Sequence, residues 1–258
     1  MIEDMDRAFD DCAKNSELKH VVYLSLGGSY CYGLNHADSD LDIRGVAVRN
    51  REEILGLFWE RNNGIEKLGY EEKDYVIWYM DRFFQLLMKG DANTFESIYS
   101  PYKKIYHPEI AKLLLSDDIK KAAYSQKIIK AYCGFAAAQM KRMNRINNKT
   151  EEGSKRHQRI VKHGYDTKEA MHAMRCIKVS KRTLESEIFS VDCQDWKEEL
   201  FAIRDGSTSY DDMLKTGTEL LAEIDQMIVD GAGGMPDVPD MGFINEIAIK
   251  IHEMIVNQ

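Results

Sequence analysis

Asp40 and Asp42, separated only by Leu41 and opening an apolar alternating run, are the residues of this chain best suited to chemistry. On a strand, residues two apart face the same side. Two neighbouring carboxylates repel each other and resist desolvation. A divalent cation removes both problems. Magnesium takes hard oxygen ligands, commonly a few carboxylates together with substrate phosphates. A third carboxylate from an adjacent strand would complete a two-metal site, in which one ion activates the attacking oxygen and the other stabilises the leaving one. Upstream stands Gly28-Ser29. A glycine lets backbone approach a ligand closely, and the serine hydroxyl and the N–H groups of the following turn suit an anion. Either motif alone is commonly a turn or an edge charge. The ordered set of buried strand, Gly-Ser, short turn and Asp-x-Asp is far more specific. No G-x-x-x-x-G-K-[ST] is present, so the phosphate loop is not of the Walker type.

The flanking residues supply the elements that must hold this set. Residues 2–12 read as a short amphipathic helix, and Val21 to Leu26 as a buried β-branched strand stopped by Gly27-Gly28. A second strand is expected from Asp40 to Val48, with a bulge at Gly45, and a third from Asp74 to Tyr79. Residues 50–73 read as mixed and polar. Asp81 is expected to cap a helix carrying Phe83, Phe84, Leu86 and Leu87 that ends at Gly90. Beyond residue 108 the periodicity is helical: a helix around 128–143, a polar loop over 144–163, then helices over 166–182, 196–204, 210–229 and 243–256.

A second candidate constellation lies on the 166–182 helix. Lys168, His172 and Arg175 follow i, i+4, i+7 spacing and share a face, a pattern suited to a triphosphate or an RNA phosphate. Tyr165 precedes them and is placed to stack on a base. Arg44 is a further candidate phosphate contact.

The 258 residues carry a net charge of −8, which excludes a general nucleic-acid coat, but the charge is uneven. Residues 120–182 hold 17 lysines and arginines against 4 acidic residues, so a polyanionic ligand would meet the middle of the chain. The five cysteines are scattered without C-x-x-C spacing, which argues against disulfides and zinc; Cys31 reads as a small filler. No apolar run approaches the ~20 residues of a membrane span. The acidic N-terminus lacks a signal-peptide pattern, so a cytoplasmic location without membrane partners is expected.

These motifs resemble the DNA polymerase beta-like nucleotidyltransferase superfamily, and more narrowly the RNA repair pathway DNA polymerase beta family. The resemblance runs through Gly28-Ser29 to Tyr32-Gly33 and Ser39-Asp40-x-Asp42-x-Arg44-Gly45. It continues in the block from Asp74 to Leu87, with Gly90-Asp91-Ala92-Asn93 where the family has a Gly-Asn-Pro-like turn, and Glu96 after it. Lys162-His163-Gly164-Tyr165-Asp166-Thr167-Lys168-x-Ala170-Met171-His172 matches a helical motif, and Ile203-Arg204-x-Gly206 is a weaker echo. The resemblance implies that Asp40 and Asp42 are metal ligands and that Ser29 contacts a nucleotide phosphate. Asp74 is the expected third carboxylate, with Glu71 and Glu72 as competitors.

The expected fold is α+β: a nucleotidyltransferase domain over 1–105, with a mixed sheet and flanking helices, followed by a helical domain over 106–258. The expected activity is transfer of a nucleoside monophosphate from an NTP to an acceptor hydroxyl. It would use two magnesium ions, or manganese, at Asp40, Asp42 and Asp74. The resemblance implies an RNA end as acceptor; a protein hydroxyl or a small molecule is also compatible. The rivals are a non-catalytic nucleotide-binding regulatory protein of antitoxin-like type and a purely RNA-binding helical protein.

Overall fold

The computed structural model describes residues 2–16, 18, 20–36, 39–56, 65–70, 73–144 and 152–257, with backbone alone at 2–3, 65–70 and 73–74. The chain divides into two compact units, one of residues 1–125 with 237–258, the other of residues 126–236.

The first unit opens with α1 (Ile2–Asn15) and β1 (His20–Leu26). A four-residue turn of helix, α2 (Gly28–Cys31), leads to β2 (Asp42–Val48), and α3 (Arg51–Leu55) follows, capped by a reciprocal Asn50–Glu53 box. Next come β3 (Ile65–Tyr70), β4 (Lys73–Tyr79), α4 (Met80–Leu87), α5 (Ala92–Tyr99) and β5 (Lys103–Ile105). Among the described residues the strands form one mixed sheet in the order β3-β4-β2-β1-β5, in which only the β2–β4 pairing is parallel.

Alternation along β2 decides which face carries the chemistry. Ile43 is buried with Met5, Phe9 and Cys12 of α1 and with Leu24 and Tyr75 of the sheet. Asp42 and Arg44 therefore point to the opposite face. That face is covered by α5, where Ser97 Oγ meets Tyr23 Oη at 3.1 Å and Ser25 Oγ at 3.0 Å. Gly45 has no bulge. The irregularity lies on β1 between Val21 and Tyr23. Glycine is needed at 45 because a methyl would overlap Leu24 Cδ2 and come 2.9 Å from the Tyr23 carbonyl.

The rest of the first unit is helical: α6 (Pro108–Leu114) and α7 (Asp117–Ala123). Asp81 lies in the first turn of α4 rather than at its cap, and pairs with Arg49 at 3.4 Å and His252 at 3.6 Å. The second unit holds α8 (Gln126–Arg142), α9 (Lys155–His163), α10 (Thr167–Ser186), α11 (Lys197–Asp205) and α12 (Tyr210–Val229). Helix α10 is its axis, with α8, α11 and α12 packed around it. Helix α9 falls where a polar loop is expected. It buries Ile160 alone, so it shows almost no apolar periodicity, and it starts at a Ser154 cap.

The last helix, α13 (Met241–Val256), returns to the first unit, packing on α3, α4, α6 and α7. The division therefore differs from the expected one near residue 105. A pattern reading sees only that helices begin there, whereas α6, α7 and α13 bury their apolar faces with the sheet unit. Among the described residues, no helix is long and apolar enough to cross a membrane.

Candidate active site

The site is built where β1 ends and β2 begins. The Gly27 N–H donates to the Asp42 carbonyl at 2.8 Å, so the two strand ends are tied at that point. Gly28 then turns the chain with φ +56°, a left-handed conformation open chiefly to glycine. A methyl at Gly28 would overlap Asp42 Oδ2 and lie 3.0 Å from its Cγ, so the carboxylate would have to move aside. The loop is thus cut to the shape of the Asp42 carboxylate. Ser29 follows, half-buried, and its carbonyl accepts from the Leu34 N–H at 2.9 Å, closing the turn.

Asp42 is 31% exposed at its side chain, and Arg44, two residues along on the same face, lies 3.9 Å from it. The Arg44 guanidinium also donates to the Ile43 carbonyl at 3.0 Å. It is held against the strand beside the carboxylate. Asp40 is exposed and stands in the lead-in to β2, not in the strand itself. It is delivered by a turn in which His36 N–H donates to Ser39 Oγ at 2.9 Å and Ser39 N–H to the His36 carbonyl at 3.1 Å. Asp74 is paired in register with Asp42 on the neighbouring parallel strand. Glu71 and Glu72 lie outside the described residues. Among the described residues, no group of three or more His, Cys, Asp or Glu side chains is gathered for a metal, and the Asp74 side chain is not among those described.

Glu96 and Lys103 neighbour the site, and the sequence reading names only Glu96. Glu96 is 6% exposed, and its backbone carbonyl accepts from the buried Cys31 thiol at 3.6 Å. Lys103 pairs in register with Ser25, which pairs with Arg44, so a lysine and an arginine flank one serine across three strands. Burial pushes the Lys103 ammonium down to about 8, nearby Cys31 opposing and Lys120 adding to the shift. A Lys-Lys pair in a three-residue strand carries no sequence signal of this.

In the second unit, Lys168, His172 and Arg175 do lie together. Burial first, then the charges of Arg175, Lys168 and Arg204, push His172 down to about 3, with Asp166 opposing them. The imidazole is therefore neutral at physiological pH. Exposure falls along the row: Lys168 is exposed, His172 half-buried and Arg175 buried. Tyr165 is 1% exposed, its hydroxyl donates to the Thr208 carbonyl at 2.7 Å, and its ring meets Tyr210 at 5.9 Å. No ring face is open, so the expected base-stacking role is corrected to a core role: Tyr165 packs α10 against the start of α12.

A model of the RNA repair pathway DNA polymerase beta family matches residues 1–210. The chain belongs to that family. Membership places it among polymerase-beta-like nucleotidyltransferases associated with RNA repair. The family match takes in the Gly28–Asp42 turn, the Asp74 strand and the α10 motif. No curated protein matches the chain.

Proposed function

We propose that this family member moves a nucleoside monophosphate from an NTP to an acceptor hydroxyl on an RNA end, using a divalent cation. The observation that carries the reading is the fit of Gly28 to Asp42: the absent Cβ leaves room for one carboxylate oxygen beside the turn. The donor set of Asp40, Asp42 and Asp74 offers oxygen alone, which fits magnesium, or manganese, and fits thiol-seeking metals poorly. These three residues would hold the ions, two in number. Bound there, the metal supplies positive charge to the attacking and leaving oxygens.

The chain's own groups do the rest. Ser29 offers its hydroxyl and the turn its N–H groups to the triphosphate. Arg44 keeps the Asp42 carboxylate oriented and offsets its charge while the site assembles. The acceptor oxygen bonds to the α-phosphorus as the bond from that phosphorus to the bridging oxygen breaks. Pyrophosphate leaves with the electron pair, and the acceptor proton passes to solvent. In the second unit, Lys168 and His172 serve as contacts for an RNA phosphate, and burial, with the Arg175 charge adding to it, keeps His172 neutral.

The test is transfer of label from each α-labelled NTP to an RNA oligonucleotide with a free 3′-hydroxyl. Magnesium-dependent labelling of the RNA, lost in Asp42→Asn, is the expected result. Tight NTP binding with no transfer to any acceptor would contradict it and favour the regulatory alternative.

A further inference from the structure

The second unit contains a cavity that the proposed transfer does not use. Lys155, Arg159 and Lys162 of α9, Thr167 at the start of α10, and Arg204 and Asp205 at the end of α11 line a space of about 410 Å³. Four side chains of this wall are cations and one is a carboxylate. Much of the surrounding basic segment is neutralised within the fold. Arg159 is bound by Asp166 at 2.6 Å, Arg156 by Asp166 and Glu169, Lys178 by Glu199 at 2.6 Å and Lys181 by Glu223 at 2.8 Å. By contrast, Lys155, Lys162 and Arg204 form no salt bridge with the described residues. Asp205 accepts from the Ser207 N–H at 2.9 Å and hydroxyl at 2.6 Å, both on Oδ1, and these bonds, with the nearby charges of His163 and Lys162, hold its carboxyl below the ordinary range.

Two further features make the cavity a receptor for an anion. Arg204 is half-buried close to Arg159, and burial together with the Arg159 charge disfavours its own charge, with Asp166 opposing them. Thr167 is 0% exposed, and its Oγ1 has no hydrogen-bond partner among the described residues. It is the first residue of a 20-residue helix whose N-terminus is capped by the Asp166 carboxylate, which accepts from the Lys168 N–H at 3.1 Å. Gln158 and His163 complete the wall, and no aliphatic side chain or phenyl, phenol or indole ring stands on it. What remains is the chemistry of a compact phosphate, recognised by cations and hydroxyl donors.

We propose that this cavity binds a phosphomonoester, and, resting on the RNA-end reading above, that of the terminus of an RNA strand, separately from the transfer chemistry at Asp42. The test uses the full chain and fluorescence anisotropy with one labelled oligoribonucleotide in three forms: 5′-phosphorylated, 3′-phosphorylated, and hydroxyl-ended. A phosphorylated form binds about tenfold more tightly than the hydroxyl-ended strand, the scale of one or two charge-assisted contacts. Lys155→Gln/Lys162→Gln, and separately Arg204→Gln, bring it back to the hydroxyl-ended value, whereas Asp42→Asn keeps the preference. Both lysines are exposed, so their double variant reads out the site even if the half-buried Arg204 proves necessary for folding. Equal binding of all three strands, or a preference that survives the lysine variant, would overturn the proposal. Loss of the preference in Asp42→Asn would also overturn it, by moving the phosphate site to the first unit. Displacement of a fluorescent phosphate analogue by inorganic phosphate, with no preference among the strands, would assign the cavity to a free phosphate instead of a strand end.

Discussion

Gly28 and Asp42 share one small volume: the position that a Gly28 Cβ would fill is occupied by a carboxylate oxygen of Asp42. The contact joins the two motifs that stand out in the sequence, the Gly-Ser turn and the Asp-x-Asp strand start, into one structure.

Gly28→Ala should therefore act on function more than on fold. The left-handed φ of +56° costs an alanine about 1 kcal/mol, and the methyl drives the Asp42 carboxylate aside. A displacement of about 1 Å at a reacting centre is worth about 100-fold in rate. Label transfer from α-labelled NTP should fall on that scale while urea denaturation shows only the small stability loss. Retained transfer would contradict the cradle.

Tyr165→Phe tests the correction to the sequence reading. Removing the hydroxyl leaves the Thr208 carbonyl without its 2.7 Å donor, a cost of about 1 kcal/mol. The urea midpoint should drop and NTP affinity should stay the same. A loss of NTP affinity at constant stability would restore the base-stacking role.

His172 should leave a signature in acid. Its folded value of about 3 lies below the ordinary 6.5, so between those limits the unfolded chain binds a proton that the folded chain does not. Stability is lost as pH falls through that window. In His172→Gln the slope of stability against pH should decrease there by up to about one proton. An unchanged slope would show that the imidazole titrates normally.

Lys103 gives the mirror case at alkaline pH. Its folded value of about 8 lies below the ordinary 10.5, so the unfolded chain again holds the extra proton and stability rises with pH between these values. Lys103→Met should abolish that rise. Persistence of the rise in the variant would assign it to another group.

Much of the sheet was legible because its strands carry β-branched and aromatic runs: Val21 to Leu26, Ile43 to Val48 and Tyr75 to Tyr79 stand in β1, β2 and β4. Helices α8, α10, α11, α12 and α13 were legible for the matching reason, an apolar stripe at helical spacing, and Ser209 caps α12 by accepting from the Asp212 N–H at 3.1 Å. Helix α9 was not, because buried Ile160 is its sole apolar anchor. The return of α13 to the first unit is a long-range fact that no local pattern encodes. At the site, residue types singled out Asp40, Asp42 and Gly28 as candidates and the family resemblance added Asp74, which the β2–β4 register sets beside Asp42. Tyr165 failed as a ligand because a tyrosine before a helix reads alike whether its ring faces solvent or core.

In the proposed function, Asp40 and Asp42 form part of a metal-dependent NTP site. The decisive measurement is isothermal titration of each NTP with and without magnesium, on the wild-type chain and on Asp40→Asn/Asp42→Asn. NTP binding should require magnesium in the wild type and be lost in the double variant. Equal binding by both proteins, or binding by the wild type that ignores magnesium, would contradict it.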